Sequence, residues 1–201
     1  MTFKTVVDLF DLLDDGRCDG KAVVDFLRAI DPDAEIEECR MAGEPEGSFT
    51  DFIHVTIPGR NGKIAGGSAR TIGLIGRLGG IGARPTRQGF VSDGDGALAA
   101  LGCAAKLLKM RHRLDVLEGD VSTQICAHAP TRPHDPVPFM SSCVDQYAKN
   151  DFEVVPDMDA ILSVDTTKGN RIINKRGFAI SPTVKDGYIL RVSEDLLTVM
   201  A

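Results

Sequence analysis

The chain has 201 residues and a formal net charge of −6, so it is long enough for a domain of about 100–200 residues and too acidic for the basic stripe of a duplex-DNA binder. Hydrophobic residues make up 43%, enough for a real core, while aromatics are 5% and Trp is absent, which excludes a stacking platform for single-stranded nucleic acid. No apolar run approaches the ~18 residues of a membrane span. The first residues carry Lys4, Asp8, Asp11, Asp14 and Asp15 and lack a secretory h-region. The five cysteines (Cys18, Cys39, Cys103, Cys126, Cys143) are scattered and form no CxxC, which reads as free thiols in a reducing, cytoplasmic compartment.

In chain order, Thr5 to Leu13 is predicted helical, with Val6, Leu9, Phe10 and Leu13 on one face. Lys21 to Ile30 is a second helix, stopped by Pro32. Residues 34–41 read as an edge strand and 52–57 as an alternating strand. Asn61-Gly62 then gives a hairpin signal. Thr71 to Ile75 is short and apolar, as a central strand should be. The glycines from Gly76 to Gly82 imply close backbone approach or positive φ. Gly96 to Met110 is the strongest helix, with Asp93 or Asp95 as its expected cap. Residues 119–126 form a strand, and the four prolines in 129–139 impose a loop. Residues 159–164 read as a buried strand, 177–184 and 188–192 as short strands, and 196–200 as a last helix capped by Ser193, Glu194 or Asp195. Strands separated by helices predict a single α/β domain over 1–201, with a mixed, largely parallel sheet flanked by helices.

Ligands of open α/β sheets bind beyond the carboxyl ends of the strands, and three loops are expected there. In 76–84, Gly79 and Gly80 could offer backbone N–H groups to an anion, with Arg77 and Arg84 adding charge; tight packing explains the glycines equally well. The loop has no Gly-Lys-Ser/Thr, which makes phosphate or nucleotide binding the weakest function class. In 126–139, Cys126, His128, His134 and Asp135 are zinc-ligand types without a recognised spacing, so a loop braced by proline and backbone hydrogen bonds is the plainer reading. His134 and Asp135, held between Pro133 and Pro136, are the better candidates there; His54, in a strand, and His112, in a helix end, are poorer ones. In 165–171, Asp165 and Lys168, with Thr166, Thr167 and Asn170, could bind a zwitterionic or carboxylated substrate, or form a salt bridge within a turn. Asp93-Gly94-Asp95 could cap a helix or contribute to a cation site.

The stretches 75–85, 133–140 and 159–192 resemble the bacterial domain-of-unknown-function family 1177, and the resemblance covers nearly the whole chain. More distantly, the order of elements is similar to the co-catalytic zinc aminopeptidases and carboxypeptidases. On that resemblance Asp93 matches the bridging metal ligand, Gly119-Asp120-Val121 the start of the next strand, and Asp165 the later metal-binding aspartate. Arg77 and Gly79 stand where the superfamily has His-x-Asp, and Ala129 and Pro130 where it has Glu-Glu.

The resemblance implies a peptidase-like fold of which 1–201 is the amino-terminal part, completed by further chain, a second chain or a homo-oligomer. The implied function is a hydrolase acting on a small amino-acid-like or peptide-like substrate. His134, Asp135, Asp165 and Lys168 would be its catalytic groups, and Arg77, Gly79, Gly80, Arg84, Thr166, Thr167 and Asn170 its substrate contacts. A divalent metal, zinc or manganese, would lie on Asp93 and Asp165. The competing class is a non-catalytic subunit binding a small ligand or partner. Neither involves nucleic acid or membrane.

Overall fold

The computed structural model describes residues 2–15, 17–44, 46–76, 83–84, 87–88, 90, 94–127, 144–165, 171–172, 177–182, 184–185, 187–189 and 191–201. They fall into two compact units, Met1–Thr166 and Thr167–Ala201.

The first unit opens with two helices, α1 (Thr2–Asp14) and α2 (Gly20–Arg28). Asp19 caps α2, its side chain accepting from the Ala22 N–H at 2.9 Å. Next come strands β1 (Glu35–Gly43), β2 (Ser48–Ile57) and β3 (Ile72–Gly76), and a two-residue pair, β4 (Ala83–Arg84) with β5 (Arg87–Gln88). The long helix α3 (Asp95–His112), strand β6 (Val121–Ala127), helix α4 (Gln146–Glu153) and strand β7 (Ala160–Val164) follow. The second unit holds a small antiparallel pair, β8 (Val184–Lys185) with β9 (Tyr188–Ile189), and helix α5 (Glu194–Met200). Ser193 caps α5 by accepting from Leu196 N–H at 3.3 Å.

The main sheet has five strands in the order β1-β2-β6-β3-β7. β2 runs antiparallel to both β1 and β6, whereas β3 is parallel to β6 and β7. The protein is therefore a mixed α/β fold with helices on its sheet. Alternation along β2 divides the core. Ile53, Val55 and Ile57 face α1, α2 and α3, burying Leu9, Leu13, Val23, Leu27, Leu101 and Leu108 with them. Phe52 points the other way, with its ring centroid 5.1 Å from that of Phe152 in α4. α3 turns Ala97, Ala100, Ala104 and Ala105 inward, and such small side chains let a helix lie close on strands.

Three expectations are corrected. Asn61-Gly62 does not join a hairpin, because β2 and β3 are not neighbours and β2 lies between β1 and β6. The segment instead begins a crossover tied down by Asp120, which is buried and accepts from Gly59 N–H at 2.8 Å and Ile64 N–H at 3.1 Å. The strand expected to be buried, now β7, is an exposed edge, with Ile161 and Leu162 open to solvent. The residue at the N-cap of α3 is Gly94, not Asp95; Asp95 lies in the first turn, where its charge complements the helix dipole. Helix α4 had no counterpart among the expected elements.

Candidate functional site

The parallel strands β6, β3 and β7 end side by side: Gly76 is in register with Ile125 and with Val164. Asp165 is the next residue after β7 and is exposed. The amino end of α3 sits on the same edge. A Cβ added at Gly76 would collide with the Gly96 carbonyl and the Ala100 methyl, so glycine is what permits this approach. The carboxyl edge of the parallel strands and the start of α3 thus converge, as expected for a ligand site in a sheet of this kind.

Of the residues expected to act there, Asp165 is placed at this edge, and Arg84 lies in the short strand β4. Arg77, Gly79, Gly80, Asp93, His128, His134, Asp135, Thr166, Thr167, Lys168 and Asn170 lie outside the described residues. A structural zinc site takes four donors and a catalytic one at least three. Among the described residues no group of three or more His, Cys, Asp or Glu is placed to hold a metal. Asp93, one of the two metal ligands that the peptidase resemblance implies, lies outside the described residues.

At the opposite edge a cleft of about 260 Å³ opens on the α4 side of the sheet, lined among others by His54, Ser122, Thr71, Lys63 and Met158. His54 Nε2 is 2.8 Å from Ser122 Oγ and 3.4 Å from Thr56 Oγ1. Its Nδ1 faces Glu37 Oε2 at 3.7 Å. Burial pushes the imidazole below its ordinary pKa, and Glu37 opposes that shift. Lys63 is already engaged, 2.8 Å from Asp159 Oδ2 and 2.8 Å from the Asp157 carbonyl. Asp159 also accepts from Thr71 N–H at 2.8 Å, and Lys63 followed by this N–H holds its carboxyl down at about 2.

In the sequence His54 reads only as an alternating strand residue, and Ser122 and Glu37 carry no local signal. The signal that unites them is register. Glu37 lies directly opposite His54, and Ser122 lies one diagonal step away on β6, 68 residues distant in the chain. Local pattern carries no information on such a pairing.

The mixed five-stranded sheet flanked by helices defines an α/β protein. The model of the family described as protein of unknown function (DUF1177) matches residues 41–201, and the chain belongs to that family. No curated protein matches it. Among the described residues no helix is long and apolar enough to cross a membrane.

Proposed function

We propose that this protein is hydrolase-like and acts on a small amino-acid-like or peptide-like substrate at the carboxyl edge of β6, β3 and β7. The observation that carries this reading is the convergence of Asp165, the end of β3 and the first turn of α3 on one edge. The reading also draws on the resemblance of element order noted in the sequence, to which the described order adds the pair β4–β5 and helix α4. A likeness of fold does not by itself carry the activity.

In this reading Asp165 holds the substrate ammonium, Arg77 and Lys168 hold its carboxylate, and His134 transfers protons. A positioned acid–base group contributes ~10²–10⁴-fold, so His134→Ala should lose at least about 100-fold in kcat/KM on dipeptides or N-acyl amino acids, and Asp165→Asn should raise KM by loss of the ammonium contact, with the far-UV spectrum unchanged in both. Full activity in both variants would sink the assignment.

A second reading, a non-catalytic subunit binding a small ligand or partner, is favoured by Arg77, Gly79, Ala129 and Pro130 at positions where the peptidases carry ligands. It expects no turnover on that panel and no metal in freshly purified protein, with a rise in Tm when an amino-acid-like compound binds. Stoichiometric zinc or manganese, or turnover, decides against it.

A further inference from the structure

A second, chemically independent constellation lies at the edge away from Asp165. Glu37, His54 and Ser122 form a row across three adjacent strands, β1, β2 and β6, on one face of the sheet. Acid, imidazole and hydroxyl stand in the order that activates a serine nucleophile: Nδ1 toward the carboxylate at 3.7 Å, Nε2 on the hydroxyl at 2.8 Å. The row ends at the thioether of Met158, a flexible side chain on the cleft wall. The residue of β3 paired with Ser122 is Gly73, which has no side chain, and Met158 lies over it as part of the cleft lining.

A separate feature points to a ligand. Thr71 lines the same cleft, is 5% exposed, and its hydroxyl has no hydrogen-bond partner. A buried hydroxyl left unpaired costs about 1–3 kcal/mol, so its retention on a cleft wall is explained by a partner that arrives with a bound molecule. Thr71 and Ser122 line the same cleft, Thr71 standing two residues before Gly73, the β3 partner of Ser122.

We propose that the cleft is a serine acyl-transfer site, in which Ser122 attacks a small uncharged ester. His54 Nε2 takes the Ser122 hydroxyl proton as Oγ bonds to the ester carbonyl carbon. The tetrahedral oxyanion, held by the Thr71 hydroxyl, collapses, and the alcohol leaves with the proton from His54. Water, deprotonated by His54, then cleaves the acyl-Ser122 bond; the carboxylic acid departs and the proton returns to Oγ. The net change is ester plus water to acid plus alcohol. The volume suits a short acyl chain. Lys63, the cation of the cleft lining, is committed to Asp159, which leaves no strong attraction for an anionic substrate.

The charged groups around His54 are Glu37 and Glu35 on β1, with Lys63, Asp120 and Asp157 along the cleft. Glu37 is a positioning residue, since it acts through the imidazole.

The test uses the full chain and diisopropyl fluorophosphate, read by intact mass and peptide mapping, with p-nitrophenyl acetate as the turnover probe. One adduct is expected, on Ser122 and absent from Ser122→Ala. Its rate should be flat at neutral pH and fall as His54 becomes protonated, at a pH below that of a free imidazole because burial disfavours the charged ring. His54→Gln should slow labelling at least tenfold, and Glu37→Gln should move the pH break downward, because the carboxylate that favours the charged imidazole is gone. Thr71→Val should lower acetate turnover at least tenfold. Wild-type protein that acquires no adduct on Ser122, needing no variant to fold, overturns the proposal. So does labelling of Ser122 that His54→Gln leaves unchanged.

Discussion

Asp51 has no exposed surface, yet its carboxylate joins three parts of the chain. It accepts from the Gly20 N–H at 2.8 Å and from Arg40 at 2.6 Å (Nε) and 2.9 Å (Nη2). The start of α2 is thereby fastened to β1 and β2. Asp51→Ala leaves a buried N–H without its acceptor, while the half-exposed Arg40 can turn to water. The expected loss is about 2–3 kcal/mol, at the upper end for a buried group losing a charged partner, measured as a lower urea midpoint at unchanged slope. Asp159 gives a pH-dependent counterpart. Its carboxyl is held at about 2 against an ordinary 3.8, chiefly by Lys63 and then by the Thr71 N–H. A depressed carboxyl pKa means that the contribution is complete above about pH 3.8 and disappears as pH falls toward about 2. Melting curves between pH 5 and pH 2 should show a steeper drop in Tm for wild type than for Asp159→Asn. Cys18 follows the same logic: burial drives its thiol up to about 12, so iodoacetamide at pH 8 should alkylate the exposed Cys103 well before Cys18.

The contact between α3 and β3 decides where the carboxyl edge lies. Gly76→Val would force side-chain atoms against the Gly96 carbonyl and the Ala100 methyl, and helix and strand would have to separate. Such overpacking costs about 1–3 kcal/mol, and here it should also weaken any ligand bound at that edge; urea denaturation tests the first consequence. Elements whose evidence is local were legible in the sequence. α1, α2 and α3 declare themselves by apolar spacing, and the interior position of β3 by its short apolar run, although the middle strand of the sheet is β6. Elements defined by partners were not. β7 has the composition of an interior strand but takes the edge position, and α4 is a short helix with few apolar residues whose burial of Phe152 depends on Phe52, 100 residues earlier. The candidate site divides in the same way. Asp165 follows directly from its place after a strand, while the Glu37–His54–Ser122 row exists only because β2 pairs with β1 on one side and β6 on the other.

At the scale of the whole chain, the two units differ in what holds them. The unit Met1–Thr166 encloses a continuous core of fully buried side chains from three helices and the sheet. In Thr167–Ala201 no residue of α5 is buried, and Ile172, Phe178, Tyr188, Ile189 and Val199 are each more than half exposed. Its elements are a two-residue strand pair and a seven-residue helix. A lone hairpin is marginal in water, and an isolated helix of fewer than about 12 residues barely forms, so neither has the burial that resists opening. Hydrogen–deuterium exchange should therefore find the slowest amides in α3 and β2 and the fastest in β8, β9 and α5, at micromolar concentration. The exposed apolar side chains set a second expectation. Covering them in an oligomer removes that area from water, so protection in 171–201 should rise with protein concentration while that of α3 stays constant. Exchange in α5 as slow as in α3 at every concentration would contradict both halves of the argument, because a helix with no buried side chain would then be holding its hydrogen bonds unaided.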